Sequence, residues 1–191
     1  MAAKNLVLVT RTDNGKQFKV SANKIVEFKT QGSSTLLKYV TQLGKAVHRL
    51  VDESAADINT AAARTQAITL YPGAKTIYIN SDRIIYIHSQ TWGSRITYDI
   101  SGDRGKYQQP PIFLDCTEAG ATINTAAGNT GIINPQAGKQ FWVNGDFIDL
   151  VTKDPANTAD FEMLYDARNT AFDKLKLSSS NSYLSIGSSW I

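Results

Sequence analysis

The sequence contains few of the residues from which disulfide frameworks and metal sites are built. Among its 191 residues are one cysteine, Cys116, and two histidines, His48 and His88. A single cysteine excludes an intrachain disulfide, and neither histidine has a cysteine or a second histidine at the spacing of zinc ligands. No histidine or basic residue stands beside Cys116 to lower its thiol pKa, so we predict a structural thiol and no bound metal.

Long apolar runs are also missing. No stretch approaches the roughly 20 consecutive apolar residues that a membrane span requires, and residues 1–5 lack the apolar run of a secretory signal. We therefore expect a soluble protein without a membrane partner. The single cysteine favours synthesis and residence in a reducing cytoplasm.

Recognisable catalytic motifs are a third absence. The glycines of Gly102–Gly105 are not followed by Gly-Lys-Ser/Thr and lie in strand-like sequence, so they indicate a hairpin turn and not a phosphate loop. Asp82 and Asp146 stand at equivalent points of the chain, but Asn23 takes that place in an earlier copy of the same pattern. The shared requirement is an acceptor for a turn. We predict no catalytic residue, no cofactor and no enzymatic activity.

The sequence contains three copies of one module. The segment 16–28 returns as 75–87 and again as 139–151, and Ile-Asn-Thr-Ala-Ala occurs at both 58–62 and 123–127. A tyrosine follows each copy at a similar distance: Tyr39, Tyr98 and Tyr165. The predicted repeats are residues 1–63, 67–127 and 129–191, the last with a divergent serine-rich tail. Because a catalytic site seldom needs three copies of a scaffold, the pattern favours an array of binding surfaces.

Each copy of the segment alternates apolar and polar residues, as in Phe18 and Val20 around Lys19. A period of two is typical of a half-buried strand. Short polar residues then favour a tight turn, and an isoleucine after the turn is expected to enter the core before two further strands. These isoleucines are Ile25, Ile84 and Ile148.

A helix is predicted near the end of the first repeat. Ser54 opens a Ser-x-x-Asp pattern followed by alanine-rich sequence, which predicts a helix from about Ser54 to Ala63. The second repeat keeps this end as 115–118, but Gly120 is expected to weaken the helix there. The whole chain is therefore expected to be mainly β, with three tandem small antiparallel β-barrel or β-roll repeats and short helical segments.

The small size of the repeats and their charge suggest that each contacts a neighbouring repeat or another protein. A unit of about 60 residues buries only about 60% of the surface that its unfolded chain exposes, so each repeat should be marginal alone. There are 10 basic and 5 acidic residues through Gln66, 5 and 5 through Gly128, and 5 and 7 thereafter. This gradient suits a molecule whose ends face different neighbours, but the absence of any block of like charges favours an ordinary solvated surface.

Several aromatic residues are candidates for a protein interface. Tyr78 and Trp142 stand where Lys19 stands in the first repeat, between inward-facing residues, and exposed Tyr and Trp are enriched at interfaces. The alternative is that they pack against the adjacent repeat. Trp92 lies in a turn, which rarely buries an indole, and an apolar chain end gains stability only by docking. The interface candidates are Tyr78, Trp92, Trp142, Trp190 and Ile191.

Nucleic-acid binding is a second hypothesis, which the sequence disfavours. Small strand-rich barrels with basic and aromatic surfaces bind single strands. The first repeat supplies the basic residues Lys16, Lys19, Lys24, Lys29 and Lys38. Along the chain, however, aromatic residues increase where basic charge falls, which is opposite to what a repeated binding groove needs.

A family resemblance is visible in the segment 78–87 followed by 95–100. These residues resemble short strand-turn-strand modules of small hypothetical and structural proteins of tailed bacteriophages. The sequence as a whole is similar in character to proteins of crAss-like phages. A second, less extensive resemblance is to a short barrel-type protein of flagellar operons. The match covers most of the first two repeats and about half of the third, and it consists of core and turn positions without a catalytic residue.

The resemblance implies a virion protein. It would be an auxiliary or decoration protein on the capsid, or a part of the neck or tail, located in the virion after synthesis in the host cytoplasm. Its partners would be the major capsid protein or neck and tail proteins, in a multimeric assembly. No binding residue can be carried over from the family, because its pattern marks only core and turn positions.

Overall fold

The computed structural model describes residues 5–100, 111–128, 130–133, 141–144, 148–153, 161–165, 173–177, 185–186 and 189–190. These residues are mainly in antiparallel strands, with short helices, as the sequence predicts. None of the sheets within these ranges is closed into a barrel, so the expected barrel closure is not seen there.

The strands of the first half form two hairpins and one meander, a set of three consecutive antiparallel strands. They are β1 (Leu6–Thr10), β2 (Gln17–Ser21), β3 (Ile25–Gln31), β4 (Ser34–Val40), β5 (Ala46–Val51), β6 (Thr65–Thr69) and β7 (Thr76–Asn80). Helix α1 (Ala55–Ala62) lies between β5 and β6, and short 3-10 turns cover Ala22–Lys24 and Ser81–Arg83.

The remaining strands follow the same order. They are β8 (Ile84–Gln90), β9 (Gly93–Tyr98), β10 (Ile112–Cys116), β11 (Thr130–Ile133), β12 (Phe141–Asn144), β13 (Ile148–Lys153), β14 (Phe161–Tyr165), β15 (Asp173–Leu177), β16 (Ser185–Ile186) and β17 (Ser189–Trp190). Helix α2 (Gly120–Ala127) lies between β10 and β11.

The chain forms two compact units. The first contains Met1–Arg83 and Asp99–Pro111, and the second contains Ile84–Tyr98 and Ile112–Ile191. These bounds differ from those of the sequence repeats, because β6 and β7 belong to the second sequence repeat but lie in the first compact unit.

The first unit is built on a five-stranded sheet in the order β5-β4-β3-β7-β6. Strands β3 to β5 form the meander of the first repeat, and the hairpin β6–β7 of the second repeat adds to its edge. Strand β7 pairs antiparallel with β3, placing Ile79 opposite Glu27 and Tyr78 opposite Phe28. A hairpin of one repeat thus completes the sheet of the preceding repeat.

The second unit repeats this construction. Its sheet has the order β10-β9-β8-β12-β11, in which β12 pairs antiparallel with β8. Val143 lies opposite Tyr86 and Trp142 lies opposite Ile87. Tyr86 and Ile87 occupy the positions of Glu27 and Phe28 in the repeat, so the two hairpin-to-meander junctions have the same register.

One bulge recurs at the same place in each meander. The register shifts between Ile25 and Glu27 in β3, between Ile84 and Tyr86 in β8, and between Ile148 and Leu150 in β13. The residue before each bulge pairs with the repeated tyrosine: Ile25 with Tyr39, Ile84 with Tyr98, and Ile148 with Tyr165. The same bulge and the same isoleucine–tyrosine pair thus occur in all three meanders.

Helix α1 begins and ends as its sequence predicts. The Ser54 hydroxyl accepts a hydrogen bond from the Asp57 amide at 3.1 Å, which satisfies a backbone donor that the helix leaves free. Ala63 ends the helix in the left-handed region, with φ of 58°. Gly120 is the first residue of α2, which spans eight residues like α1, and the weakening of this helix by Gly120 stays a prediction.

The core of the first unit confirms the alternation in the first strand. Val20 is buried and Lys19 is exposed. The buried cluster consists of Val7, Val9, Val20, Ala22, Ile25, Phe28, Leu37, Val51, Ala55, Ile58 and Ala62. Both Ile25 and Ile84 are fully buried, as predicted, whereas the side chain of Ile148 lies outside the described part of the structure.

A buried asparagine fixes the hairpin of the first unit to its meander. The Asn80 side-chain amide donates hydrogen bonds to the carbonyl oxygens of Ala22 at 3.1 Å and Ile25 at 3.0 Å. Its side-chain oxygen accepts the Asp82 amide at 3.0 Å, which is the local turn bond expected from the sequence. Arg83 also donates to the Ile25 carbonyl, at 3.2 Å. Buried polar groups with partners on two elements specify how those elements fit.

The second unit has the same asparagine. The Asn144 side chain is fully buried and donates to the carbonyl oxygen of Ile84 at 2.9 Å. Ile84 is the counterpart of Ile25. In the first hairpin the equivalent residue is Ser21, whose hydroxyl donates instead to Asn23 at 2.8 Å.

Asn80→Ala should lower the free energy of unfolding by about 1 to 3 kcal/mol, since it leaves the buried carbonyl groups of Ala22 and Ile25 without these donors. Ser21→Ala is the matched control at the equivalent position, and it should change the free energy by less than about 0.5 kcal/mol. Denaturant unfolding measures both values. Equal effects of the two substitutions would contradict this role of Asn80.

Candidate protein-interaction surface

Five large apolar side chains are exposed in the described ranges. They are Leu6, Leu8, Leu43, Tyr71 and Phe113, with exposures of 56%, 48%, 84%, 46% and 61%. Leu43 and Tyr71 lie singly in turns, and scattered residues of this kind are normal on protein surfaces. Leu6 and Leu8, in contrast, share one face of β1, and Phe113 lies on β10, the outer strand of its sheet within the described ranges.

Phe113 is part of an ordered surface cluster with Arg95 and Asp115. Among the described strands, β10 is the outermost of its sheet. It pairs with β9 so that Phe113 lies opposite Thr97 and Asp115 opposite Arg95. These residues alternate along their strands, so all three side chains share one face. The Arg95 guanidinium carbon lies 5.8 Å from the centre of the Phe113 ring, within the range of a cation–π contact.

The Arg95 guanidinium is held by both oxygens of the Asp115 carboxylate. Its Nε and Nη2 donate to Oδ1 and Oδ2 at 2.8 and 2.9 Å. The hydrogen bond from Arg95 lowers the pKa of Asp115 below its ordinary value, although partial burial opposes the shift. An exposed pair of this kind adds little stability. The effect of the pair is to hold the Arg95 guanidinium beside the exposed Phe113 ring.

The first hairpin has one buried face and one exposed face. Val7 and Val20, which pair across the hairpin, are buried, whereas the adjacent pair Leu8 and Lys19 is exposed. Leu6 lies on the same exposed face. The hairpin β1–β2 forms its own two-stranded sheet, so the outer edge of β2 pairs with no other strand in the described part of the chain.

Tyr78 and Trp142 lie against the preceding repeat in the sequence. The Tyr78 ring is half-buried and stacks on Phe28, with ring centres 4.8 Å apart and planes 5° from parallel. Trp142 is only 2% exposed. Neither ring is therefore a free surface anchor in this structure, because each already packs within its own compact unit.

The Trp142 indole packs against the start of α2. A Cβ atom placed on Gly120 would lie 2.1 Å from Trp142 Cζ3, far inside van der Waals contact. In the first unit the helix begins with Ala55, and the smaller Tyr78 packs against the cluster that contains it. The larger aromatic ring thus occurs with the smaller helix residue.

The remaining interface candidates are Trp92, Trp190 and Ile191, and the structure describes them to different extents. Trp92 is half-buried in the turn between β8 and β9, and the next residue, Gly93, has φ of 140° and no room for a side chain against the backbone of Cys116 and Thr117. Trp190 lies in β17, paired with Ser185, but the position of its side chain is outside what the structure describes. Ile191 lies wholly outside the described residues.

Cys116 is buried at the end of β10. Its thiol donates to the carbonyl oxygen of Ser94 at 3.4 Å. Burial raises the pKa of the Cys116 thiol from 9.0 to about 12, and the nearby Glu118 carboxylate adds to the shift. The thiolate form is therefore scarce at neutral pH.

The candidate nucleic-acid-binding lysines of the first repeat lie on several elements, from the loop before β2 to β4. Lys16, Lys19 and Lys29 are exposed and Lys24 is half-buried. Lys38 lies 3.8 Å from the Glu27 carboxylate. No group of three or more His, Cys, Asp or Glu side chains suited to a metal ion occurs among the described residues. Within the same ranges, no helix has the length and apolar character needed to cross a membrane.

No protein-family model matches this chain, and no curated protein or solved structure matches it either.

Sequence reasoning missed the Phe113 cluster because it did not identify β10. The run Ile112-Phe113-Leu114 does not alternate between apolar and polar residues, so a strand is not distinguished by its period. By analogy with the first repeat, the segment 115–118 is expected to lead into a helix, but Asp115 and Cys116 lie in β10. The opposite charges of Arg95 and Asp115 were the sequence feature that could have indicated an ion pair between neighbouring strands.

Gly120→Ala should destabilise the protein by about 1 to 3 kcal/mol, because the new methyl group overlaps the Trp142 ring. Adding Trp142→Tyr, which copies the pair found in the first unit, should recover part of the loss. Gly73→Ala is a suitable control, since a Cβ there meets nothing within 4 Å. Denaturant unfolding gives each value, and a harmless Gly120→Ala would contradict the packing described here.

Cys116 in the folded protein should resist a water-soluble disulfide reagent at pH 8 and react fully in denaturant. Below about pH 9 the neutral thiol is the stable form in both states, so its contribution to folding is fully present. The contribution is lost as pH rises from 9.0 towards about 12, because only the unfolded chain then ionises freely. Rapid modification of the folded protein at pH 8 would contradict the buried placement.

Proposed function

We propose that this chain is a structural, non-enzymatic component of a tailed-phage virion. In this role it binds neighbouring capsid, neck or tail proteins as an auxiliary or decoration protein. The observation that carries the proposal is the exposed Phe113 ring held beside the Arg95–Asp115 pair. The virion setting is supported by the resemblance of the segments 78–87 and 95–100 to tailed-phage structural modules.

The Phe113 cluster has the composition of a binding centre. Aromatic and arginine side chains supply much of the energy of protein interfaces, and rigid placement lowers the entropy lost on binding. The 61% exposure of Phe113 leaves most of the ring available to a partner. Within the described ranges, strand β10 is also a sheet edge, and the backbone groups of such an edge can be covered by another chain.

We further propose that the chain is an array of three small β modules, each a barrel or roll, and that the following hairpin completes the first two of them. Support comes from the bulge and paired tyrosine that recur in β3, β8 and β13. The two hairpin-to-meander junctions with equal register support it as well. An array of this kind presents several surfaces to an assembly.

Phe113→Ala should reduce incorporation of the protein into particles at least about tenfold without unfolding it, because an interface aromatic typically contributes more than about 1.4 kcal/mol. Mass spectrometry of purified particles measures the copy number, and circular dichroism checks the fold. Leu43→Ala is the matched control, as Leu43 is 84% exposed but lies alone in a turn. Normal incorporation of Phe113→Ala would overturn the assignment of this surface.

Two further variants test the other predicted anchors. Trp92→Ala and a chain lacking Trp190–Ile191 should also lower incorporation if these residues contact partners. Unchanged copy numbers for Phe113→Ala, Trp92→Ala and the shortened chain together would remove the interface assignment altogether.

The same particles distinguish the nucleic-acid hypothesis. Incorporation through protein contacts should change little with moderate salt. Binding to DNA or RNA through the exposed Lys16, Lys19 and Lys29 would weaken steeply as salt rises, since each neutralised phosphate releases counterions. A purified protein that binds nucleic acid tightly at 0.15 M salt, an ionic strength of about the physiological value, would favour the second function.

A further inference from the structure

We propose that copies of this chain associate head to tail, with the outer edge of β2 in one copy pairing with the outer edge of β13 in the next. This inference goes beyond the binding of other virion proteins. It uses a surface separate from the Phe113 cluster and does not depend on that cluster.

The first argument is that the same junction already occurs twice inside the chain. The second strand of a hairpin pairs antiparallel with the first strand of the preceding meander, as β7 does with β3 and β12 with β8. In both junctions the same two repeat positions lie opposite each other, Ile79 with Glu27 and Val143 with Tyr86. The chain therefore encodes a defined mode of association between a hairpin and a meander.

The second argument is that both halves of a third junction are present and lack each other. Strand β2 is the counterpart of β7 and β12, and in the described part of the chain it pairs only with β1. Strand β13 is the counterpart of β3 and β8, carries the same bulge, and pairs only with β14 within the same limits. Joining them in the repeated register would place Val20 opposite Leu150 and Lys19 opposite Val151.

The third argument is the apolar character of the unpaired hairpin. Leu6 and Leu8 are 56% and 48% exposed. By register, their counterparts in the second hairpin are Thr65 and Ala67. In the third hairpin the counterparts are Thr130 and Ile132. The first hairpin, whose β2 edge is open in the described part of the chain, is therefore the one with large apolar residues at both positions. An exposed apolar face next to an open sheet edge is a site for pairing with another chain.

The fourth argument is complementary charge at the two ends. Lys19 takes the position that Tyr78 and Trp142 hold in the internal junctions. Asp149 takes the bulge position that Val26 and Ile85 hold. The first third of the chain carries 10 basic and 5 acidic residues and the last third 5 and 7. Opposite charges steer such ends together and disfavour head-to-head contact.

The contact between copies should be weaker than the internal junctions. Asn80 and Asn144 donate to the carbonyl oxygens of Ile25 and Ile84. The Ser21 hydroxyl in the first hairpin donates instead to the neighbouring Asn23 side chain. The corresponding carbonyl in the third repeat belongs to Ile148. A junction without the asparagine is expected to form reversibly and to depend on concentration.

This mode of association is heterologous, because the two surfaces differ. Such contacts produce rings when the rotation between copies closes and open chains when it does not. Either outcome provides several identical copies of the Phe113 cluster to a particle.

The experiment uses the purified full-length chain in sedimentation velocity over a range of concentrations at low and high salt. We expect concentration-dependent oligomers that weaken at high salt. Ser21→Asn, which supplies the missing amide, should tighten association about tenfold, the effect of one good hydrogen bond. An exclusively monomeric chain, both as wild type and with Ser21→Asn, would overturn the proposal.

Charge reversal tests the specific pairing. Lys19→Asp and Asp149→Lys should each weaken association about tenfold or more, and a chain carrying both substitutions should recover much of it. Lys45→Asp is the matched control, since Lys45 is an exposed lysine in the loop between β4 and β5. Association that ignores Lys19→Asp would contradict the assigned junction. A monomeric chain whose first hairpin binds a strand of another virion protein would replace the second copy with that protein.

Discussion

The structure depends on one physical constraint, the antiparallel pairing of a hairpin with the meander of the preceding repeat. A meander of three short strands with one helix cannot cover its own core, because a module of about 60 residues has too much surface for its volume. The pairing of β7 with β3 supplies two more strands, and the buried Asn80 fixes their position on the carbonyl oxygens of Ala22 and Ile25. The hairpins β6–β7 and β11–β12 each belong to one repeat in the sequence but join the sheet of the preceding repeat. The same pairing therefore links successive repeats and completes their sheets.

The two internal junctions differ in packing while keeping their register. Tyr78 stacks on Phe28 in the first unit, whereas the larger Trp142 packs against Gly120 in the second. A change in ring size is matched by a change at the start of the helix, as close-packed interiors require. The conserved elements are the backbone pairing and the asparagine amide. Such a scaffold can vary its exposed residues, including the Phe113 cluster and the first hairpin, without losing its architecture.

Much of the local structure follows from the sequence, because it rests on short-range rules. The alternation around Lys19 places Val20 inside, Ser54 begins α1, and the isoleucines after the turns are buried where the structure describes them. The partner of each hairpin could not be predicted in the same way, since a period of two defines the faces of a strand but not its neighbour. Asn80 looked like a turn residue because its local bond to Asp82 is only one of its contacts. Phe113 was missed because its strand has no alternation.

The most direct test of this account is residue-resolved amide hydrogen exchange on the protein at a concentration where it is monomeric. Strand β7 has neighbours on both sides, β6 and β3, whereas β2 has only β1 among the described strands. Successive amides of β7 should therefore all exchange slowly, while alternate amides of β2 exchange quickly. Fast exchange at alternate positions of β7, equal to that in β2, would show that the hairpin does not complete the preceding sheet.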